Sequence, residues 1–360
     1  LSYILEIQTA VPEFKHAQET IMNFYQNSTD DENTKRKIKI VSAKAKISYR
    51  YSVLPDFSVT PEEHVFFPKN RFLEPDPDIN VRMGLYKKYA CGLAAKAINK
   101  IANFEEIKSS ITHIITVTCT GLSAPGLDIE LIREFNLRTN IERSSINFMG
   151  CNAAILALKS ADYICKSQSN AKVLVVCTEL STLHFQKNYS DDYILSTSLF
   201  GDGCAAMIVA SELDKDSKKV PVKVKAFHSV LLHSGHKDMA WHISDKGFVI
   251  NLSSYVSQII NSNIKDMMAS IGIDNSQISH WAIHPGGKKI LNDFRTALNL
   301  SIENLIHSYD VLNNFGNMSS PTVLFVLKQI IDSNNIAGEK IFTAAFGPGL
   351  SIETMLLEYV

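Results

Sequence analysis

The sequence predicts an α/β fold whose sheets are covered by helices on both faces. Three observations predict it. Strand-like and helix-like stretches alternate along the whole chain. Some strand-like runs, "AKVLVVCTEL" above all, are continuously apolar and β-branched, the pattern of a strand buried on both faces. The third is size: 360 residues with 45% hydrophobic and 20% charged side chains. That is enough apolar surface for a large core, and the length suggests about two domains.

Each element follows in order. "LSYILEIQTAVPEF" reads as a first strand ending in a turn at Pro12. A helical region over roughly 14–46 ends in the basic stretch "TKRKIKIVSAKAK". In "FFPKNRFLEPDPDINV" the prolines exclude regular helix. "MGLYKKYACGLAAKAINKIA" repeats apolar residues at three- and four-residue steps, which predicts a helix. "ITHIITVTCTG" is a strand ending at a Gly turn, and "GLDIELIREFNL" the helix after it. "SSINFMGCNAAILALKSADYIC" gives a turn and a further helix, and "GDGCAAMIVAS" a strand entered through a Gly-Asp-Gly turn. The charged segment "SELDKDSKKVPVKVK" then separates two halves, 1–219 and 220–360. The second half reads as a helix over about 251–271, the strand "HWAIHPGG", another helix, the helix "GNMSSPTVLFVLKQII" and a terminal β-hairpin, "KIFTAAFGPGLSIETMLLEYV".

Composition excludes several function classes. A formal net charge of −1 gives no global attraction to nucleic acid or an anionic membrane. The one local basic run, 35–46, lacks the interleaved aromatics of a nucleic-acid stacking surface. No apolar run approaches the length of a membrane span, and the N-terminal stretch lacks the pattern of a secretory signal. The six cysteines form no C-x-x-C pair and no regular spacing, which argues against a disulfide framework and a zinc ribbon. The cytoplasm is therefore the expected compartment. His228, His233, His236 and His242 lie close together in sequence, but their spacing fits no standard zinc pattern, and no metal is expected.

Three polar residues stand in unusual settings. Cys151 lies where the turn after Gly150 becomes a helix. A helix N-terminus carries partial positive charge and free N–H donors, which favour a thiolate. Alone, such a cysteine is also a common small core residue. His284, in "WAIHPGG", ends a strand, where α/β folds place functional side chains. Asn317, in "NNFGNMSSP", starts a helix, where asparagine is also a favoured cap. Together they supply a soft nucleophile, a base and donors for a developing oxyanion, the requirements of thioester chemistry.

Seven segments, in order, carry a family resemblance: "ITHIITVTCTGLSAPG", "GCNAAILAL", "LVVCTELSTLHFQ", "LFGDGCAAMIV", "AIHPGGKKIL", "VLNNFGNMSSPTVLFVL" and "AAFGPGLSIETMLLE". The whole chain resembles the type III polyketide synthases, the chalcone synthase-like family of the thiolase fold. The resemblance implies two similar halves in a five-layered α-β-α-β-α arrangement and a homodimer. It implies that Cys151 accepts an acyl group from an acyl-CoA starter, held as thiolate by His284. His284 and Asn317 would then bind the thioester carbonyl of malonyl-CoA through decarboxylation and iterative Claisen condensation, with cyclisation to a pyrone, resorcinol or polyhydroxy-aromatic product. No metal or redox cofactor is implied.

The same resemblance assigns Phe200 and Trp241 to the gate between the CoA tunnel and the cavity, Trp241 standing where plant enzymes carry Phe. Gly347, Pro348 and Gly349 would shape the cavity floor. Cys119, Thr120, Ala124 and His184 fall on cavity positions that differ from the plant pattern, while Ser319 is retained. Cys119 resembles the extra cavity cysteine of bacterial tetrahydroxynaphthalene synthases, and the small Ala124 would open room for a long acyl chain. Lys37 and Lys44 fall on CoA-binding lysines. The arginine between them is Ile40 here, which makes Lys39 a candidate substitute. Two rival readings share the fold. An initiating 3-ketoacyl-ACP synthase would condense once, from a carrier protein. A non-catalytic acyl- or CoA-binding protein would be expected to lack one of the three central residues.

Overall fold

A computed structural model describes residues 1–213, 221–253, 255–333 and 336–360. Its strands are β1 (Tyr3–Ala10), β2 (Phe14–Ala17), β3 (Tyr49–Ser52), β4 (His113–Thr118), β5 (Glu142–Asn147), β6 (Lys172–Leu180), β7 (Asp202–Ala210), β8 (Val222–Leu231), β9 (Met239–Ser244), β10 (Gly247–Leu252), β11 (His280–Ile283), β12 (Lys340–Gly347) and β13 (Ser351–Tyr359). Nine of them form one hydrogen-bonded series, β11-β12-β13-β8-β1-β7-β6-β4-β5. The series is two sheets joined at a narrow seam, where among the described residues β1 pairs with β8 at Tyr3–Lys223 and Ile4–Val222.

The two sheets repeat one plan. In the first, β6 is parallel to β4 and antiparallel to β7, which is antiparallel to β1. In the second, β12 is parallel to β11 and antiparallel to β13, which is antiparallel to β8. A helix precedes each central strand: Ala153–Ser167 before β6, and Thr322–Ser333 before β12.

Strand alternation then builds five layers. Along β6, Leu174 and Val176 face one apolar cluster with the helix Ile79–Ile98, while Val173, Val175 and Cys177 face another. Along β12, Ile341 and Ala345 share that second cluster, and Phe342, Ala344 and Phe346 turn to a third with the helices Val256–Ile271 and Lys288–Ala297. The second cluster is the middle layer. It holds both helices that precede the central strands, and Ala153, Ala154, Ala157 and Ala161 are small enough to let the first lie between two sheets. Burying each large aliphatic side chain here contributes about 1.5–3 kcal/mol.

The structure differs from the sequence expectation in several places. The helical region at 14–46 is a short strand, β2, paired with β3, then two helices, Gln18–Asn27 and Glu32–Ala45. The break is local chemistry: the Asp31 carboxylate accepts from the Asn33 and Thr34 N–H groups and starts the second helix afresh. β5 is an edge strand whose side chains are mostly exposed, so it lacks the apolar signature of its neighbours. The β9–β10 hairpin was not foreseen either, and the helix expected from 251 begins at Val256. The expected division at 219/220 lies outside the described residues.

Candidate active site

The duplicated plan brings the leading ends of the two middle helices together. Cys151 stands two residues before Ala153–Ser167, and Asn317 five residues before Thr322–Ser333. His284 follows β11 directly, its N–H donating to the Ala344 carbonyl of β12 at 2.8 Å. All three line one cavity, which is overwhelmingly apolar.

Asn317 is oriented by its own loop. Its Oδ1 accepts from the Ser319 N–H at 2.8 Å. That leaves Nδ2 facing Sγ of Cys151 at 3.9 Å and the Gly286 carbonyl at 3.5 Å. The capping chemistry that made asparagine ordinary here is thus what aims its amide. Phe200 is tied to it by a bridge: Asn317 N–H donates to Leu199 O and Gly201 N–H to Asn317 O, both at 2.9 Å.

The turn carrying Cys151 is locked to the Gly347-Pro348-Gly349 turn. Gly150 has φ +85°, and a Cβ there would sit 2.1 Å from Cδ of Pro348. A Cβ on Gly347 would meet the Asn152 side chain at 2.5 Å, and Asn152 Nδ2 donates to Ser351 Oγ at 2.9 Å. Two motifs almost 200 residues apart are therefore one interlocked surface. Pro348 lines the cavity, while Gly347 packs against Asn152 in the same turn.

Burial and the helix-end field act on the Cys151 thiol in opposite directions. Burial pushes the Cys151 thiol up to about 11, against hydrogen bonding from Ser319 and Asn317, and Glu179 adds to the rise. Burial also drives His284 down to about 3. Burial thus disfavours the charged form of both groups, against the field of the helix end. Both ring nitrogens of buried His284 lack a hydrogen-bond partner among the described residues. Buried polar atoms are seldom left so, and a pair of open ring nitrogens in an apolar cavity marks a place for substrate.

The expected cavity residues mostly converge. Cys119, Thr120, Phe200, Trp241, Ser319 and Pro348 all line the cavity. Trp241 is more than a core aromatic, since its indole N–H donates to the Cys119 carbonyl at 2.9 Å. Cys119 Sγ accepts from the Gly150 N–H at 3.0 Å, and burial holds its thiol well above the ordinary range.

Two of the assigned residues lie outside this cavity. Ala124 lies on an exposed loop and does not line the cavity of its own chain, because residues 122–125 run out over the surface after β4. His184 lies outside this cavity as well. It is stacked on Phe248 at 4.2 Å, with Nε2 donating to Thr120 O at 2.8 Å and Nδ1 accepting from the Phe248 N–H at 3.1 Å. Those partners fix a neutral imidazole, and burial lowers its pKa to about 3. It borders a second chamber that shares Ser181, Phe200, Trp241 and Ile250 with the first.

Lys37 and Lys44 sit on the helix Glu32–Ala45, outside both chambers. Lys37 pairs with Asp191, while Lys44, Lys39 and Ile40 are exposed. Sequence reasoning missed Glu179, a buried carboxylate accepting from Ser320 Oγ at 2.6 Å, Cys119 N–H at 2.8 Å and Thr120 Oγ1 at 2.8 Å. A carboxylate ending the apolar run "AKVLVVCTEL" was the signal available for it. The hairpin wall of Met239, Ile250 and Leu252 had no comparable signal.

The family model for the N-terminal domain of chalcone and stilbene synthases matches residues 1–213, and that for their C-terminal domain matches 224–360. The chain belongs to the chalcone and stilbene synthase family. It is thereby a type III polyketide synthase of acyltransferase type, with the thiolase-like architecture described above. Among relatives, the alpha-pyrone synthesis polyketide synthase-like Pks18 of Mycobacterium tuberculosis is 33% identical over 293 residues, covering 78% of this chain and 74% of that protein. The probable polyketide synthase 1 of Dictyostelium discoideum is 29% identical across the whole chain, which spans only 11% of that protein's length. Among solved structures, PKS-I of the brown alga Ectocarpus siliculosus superposes with a TM-score of 0.92 at 25% identity, covering 100% of this chain and 98% of that one. The C-terminal type III domain of Dictyostelium Steely1 gives 0.88 at 27% identity, covering 100% and 99%.

Proposed function

We propose that this chalcone and stilbene synthase relative loads an acyl-CoA starter on Cys151 and extends it with malonyl-CoA. The observation that carries the reading is the meeting of Cys151, His284 and the aimed Asn317 amide in one apolar cavity. Burial holds the thiol up and the imidazole down, so attack is coupled to proton transfer. Sγ bonds to the acyl carbon as its proton passes to the His284 ring, the CoA sulfur leaves, and that proton follows it out. His284 is again neutral, with one N–H to donate.

Malonyl-CoA then binds with its thioester oxygen between Asn317 Nδ2 and the His284 N–H. Loss of CO2 moves the carbon–carbon pair into an enolate that these two donors stabilise in a water-poor setting. The enolate carbon attacks the acyl carbon, and the Cys151 thiolate leaves. Repetition lengthens a chain that cyclises to a pyrone, resorcinol or polyhydroxy-aromatic product. These steps call on no metal or redox cofactor. The functional unit is a cytoplasmic homodimer in this reading, and the exposed Lys44 and Lys39 meet the CoA phosphates, with Lys37 once released from Asp191.

Intact-protein mass spectrometry after mixing with a panel of acyl-CoA thioesters tests the first step. A mass gain equal to the acyl group, absent in Cys151→Ala, is expected. No gain from any thioester would overturn the reading.

A further inference from the structure

The second chamber contains a group that the reaction above does not use. Its wall is largely aromatic and aliphatic, with Phe57, Phe185, Phe248 and Ile21 beyond the residues shared with the first cavity. Set into that wall is Arg50, 2% exposed. Three of its N–H donors are spent: Nε on Gln18 Oε1 at 2.8 Å, and Nη1 on the carbonyls of Thr197 at 2.6 Å and Phe200 at 2.7 Å. Nη2 has no partner among the described residues. Arg50 makes no ion pair there either. Asp202, the carboxylate whose field it feels, is occupied by Val53 N–H at 2.9 Å and by the N–H and hydroxyl of Thr182 at 2.8 and 2.7 Å.

A buried guanidinium is costly unless its donors are met, and Arg50, a lining residue of the chamber, has one nitrogen unmet among the described residues. The chamber adjoins the first cavity at Phe200, Trp241, Ser181 and Ile250. A chain extending away from Cys151 past Trp241 would therefore enter it with its far end. We propose that the second chamber receives the far end of the starter acyl group, and that Arg50 selects a starter bearing a keto or carboxylate oxygen there over a plain alkyl end. The aromatic wall takes the methylenes and Arg50 Nη2 takes the oxygen. The inference rests on the acyl-loading reading and names the substrate class of that site. Arg50 is in this account a specificity residue that also holds Phe200 through its carbonyl.

The test is a loading series. Rates of acylation at Cys151 are measured with alkyl, ω-oxo and ω-carboxy acyl-CoA thioesters over a range of chain lengths. At one length the oxygenated starters should load at least tenfold faster than the alkyl one, the factor of a charge-assisted hydrogen bond. Arg50→Gln should bring that ratio towards one. Thr197→Phe, which narrows the chamber while keeping the carbonyl Arg50 uses, should shorten the longest starter accepted. Alkyl starters loading as fast as oxygenated ones at every length would overturn the inference, as would a ratio unchanged in Arg50→Gln. If Arg50→Gln fails to fold, the wild-type ratio and Thr197→Phe still decide. Failure of all thioesters to load would instead sink the acyl-loading reading itself.

Discussion

Replacing Gly150 by alanine probes the interlock that places the nucleophile. The new Cβ would lie 2.1 Å from Cδ and 2.9 Å from Cγ of Pro348. Unstrained carbons sit about 3.5–4.0 Å apart, so one turn must retreat by roughly 1.5 Å. Pro348 has no alternative rotamer that clears the space, since its ring is closed on its own backbone. The positive φ adds about 1–2 kcal/mol for a residue with a Cβ, and forced overpacking typically adds about 1–3 kcal/mol. A loss of about 2–5 kcal/mol in urea unfolding is therefore expected. The larger effect should be on chemistry, because a misplacement of about 1 Å can cost on the order of a hundredfold in rate. Gly272→Ala is the control: its φ is +70°, but nothing lies within 4 Å of the added carbon. It should lose only the backbone term and load acyl groups normally. Equal stability loss in the two variants, with normal loading in Gly150→Ala, would refute the interlock.

Other outcomes follow from the same contacts. Asn317→Ala removes one enolate donor, so condensation should fall by about 10²–10³ while acyl loading of Cys151 persists. Iodoacetamide labelling of Cys151 in the unliganded protein should climb about tenfold per pH unit between about 7 and 10, because the thiol sits at about 11; a plateau at neutral pH would show a resting thiolate instead. His184, lowered from 6.5 to about 3, contributes stability that is present above pH 6.5 and lost as pH falls towards 3. His184→Gln can keep both hydrogen bonds, so its stability should lose about 2–3 kcal/mol less than wild type between about pH 6.5 and 4.5 in urea titrations. Asp202, raised to about 7 by burial, acts in the opposite sense, its contribution being lost as pH rises from about 4 to 7; comparing His184→Gln with wild type cancels it.

Much of the fold was legible because its central strands are buried on both faces and say so in β-branched runs such as "AKVLVVCTEL". The middle helix was legible through its alanines. What escaped were elements whose stability comes from outside their own sequence. β5 is an exposed edge strand held by β4, and the β9–β10 hairpin gains its place by covering the cavity with Trp241 and Ile250. In the site, Cys151, His284 and Asn317 could be picked by residue type and turn context, but not brought together. Their meeting depends on the duplicated topology that sets two helix starts side by side. The balance of fields at the Cys151 thiol is hidden for a related reason: the helix end is visible in sequence, whereas the depth of the cavity is not. Arg50 is hidden in "SYRYSVLPDF" as one charge among many, and only packing reveals that one of its nitrogens is unused.

The central claim is that this cavity makes carbon–carbon bonds from malonyl units through Cys151. Radiolabelled malonyl-CoA, incubated with the best-loading starter and analysed for products, tests it most directly in wild type and Cys151→Ala. The account predicts labelled pyrone, resorcinol or other polyketide products from wild type and none from the variant. Wild type that yields no labelled polyketide from malonyl-CoA with any starter, yet condenses once with malonyl-ACP, would contradict it.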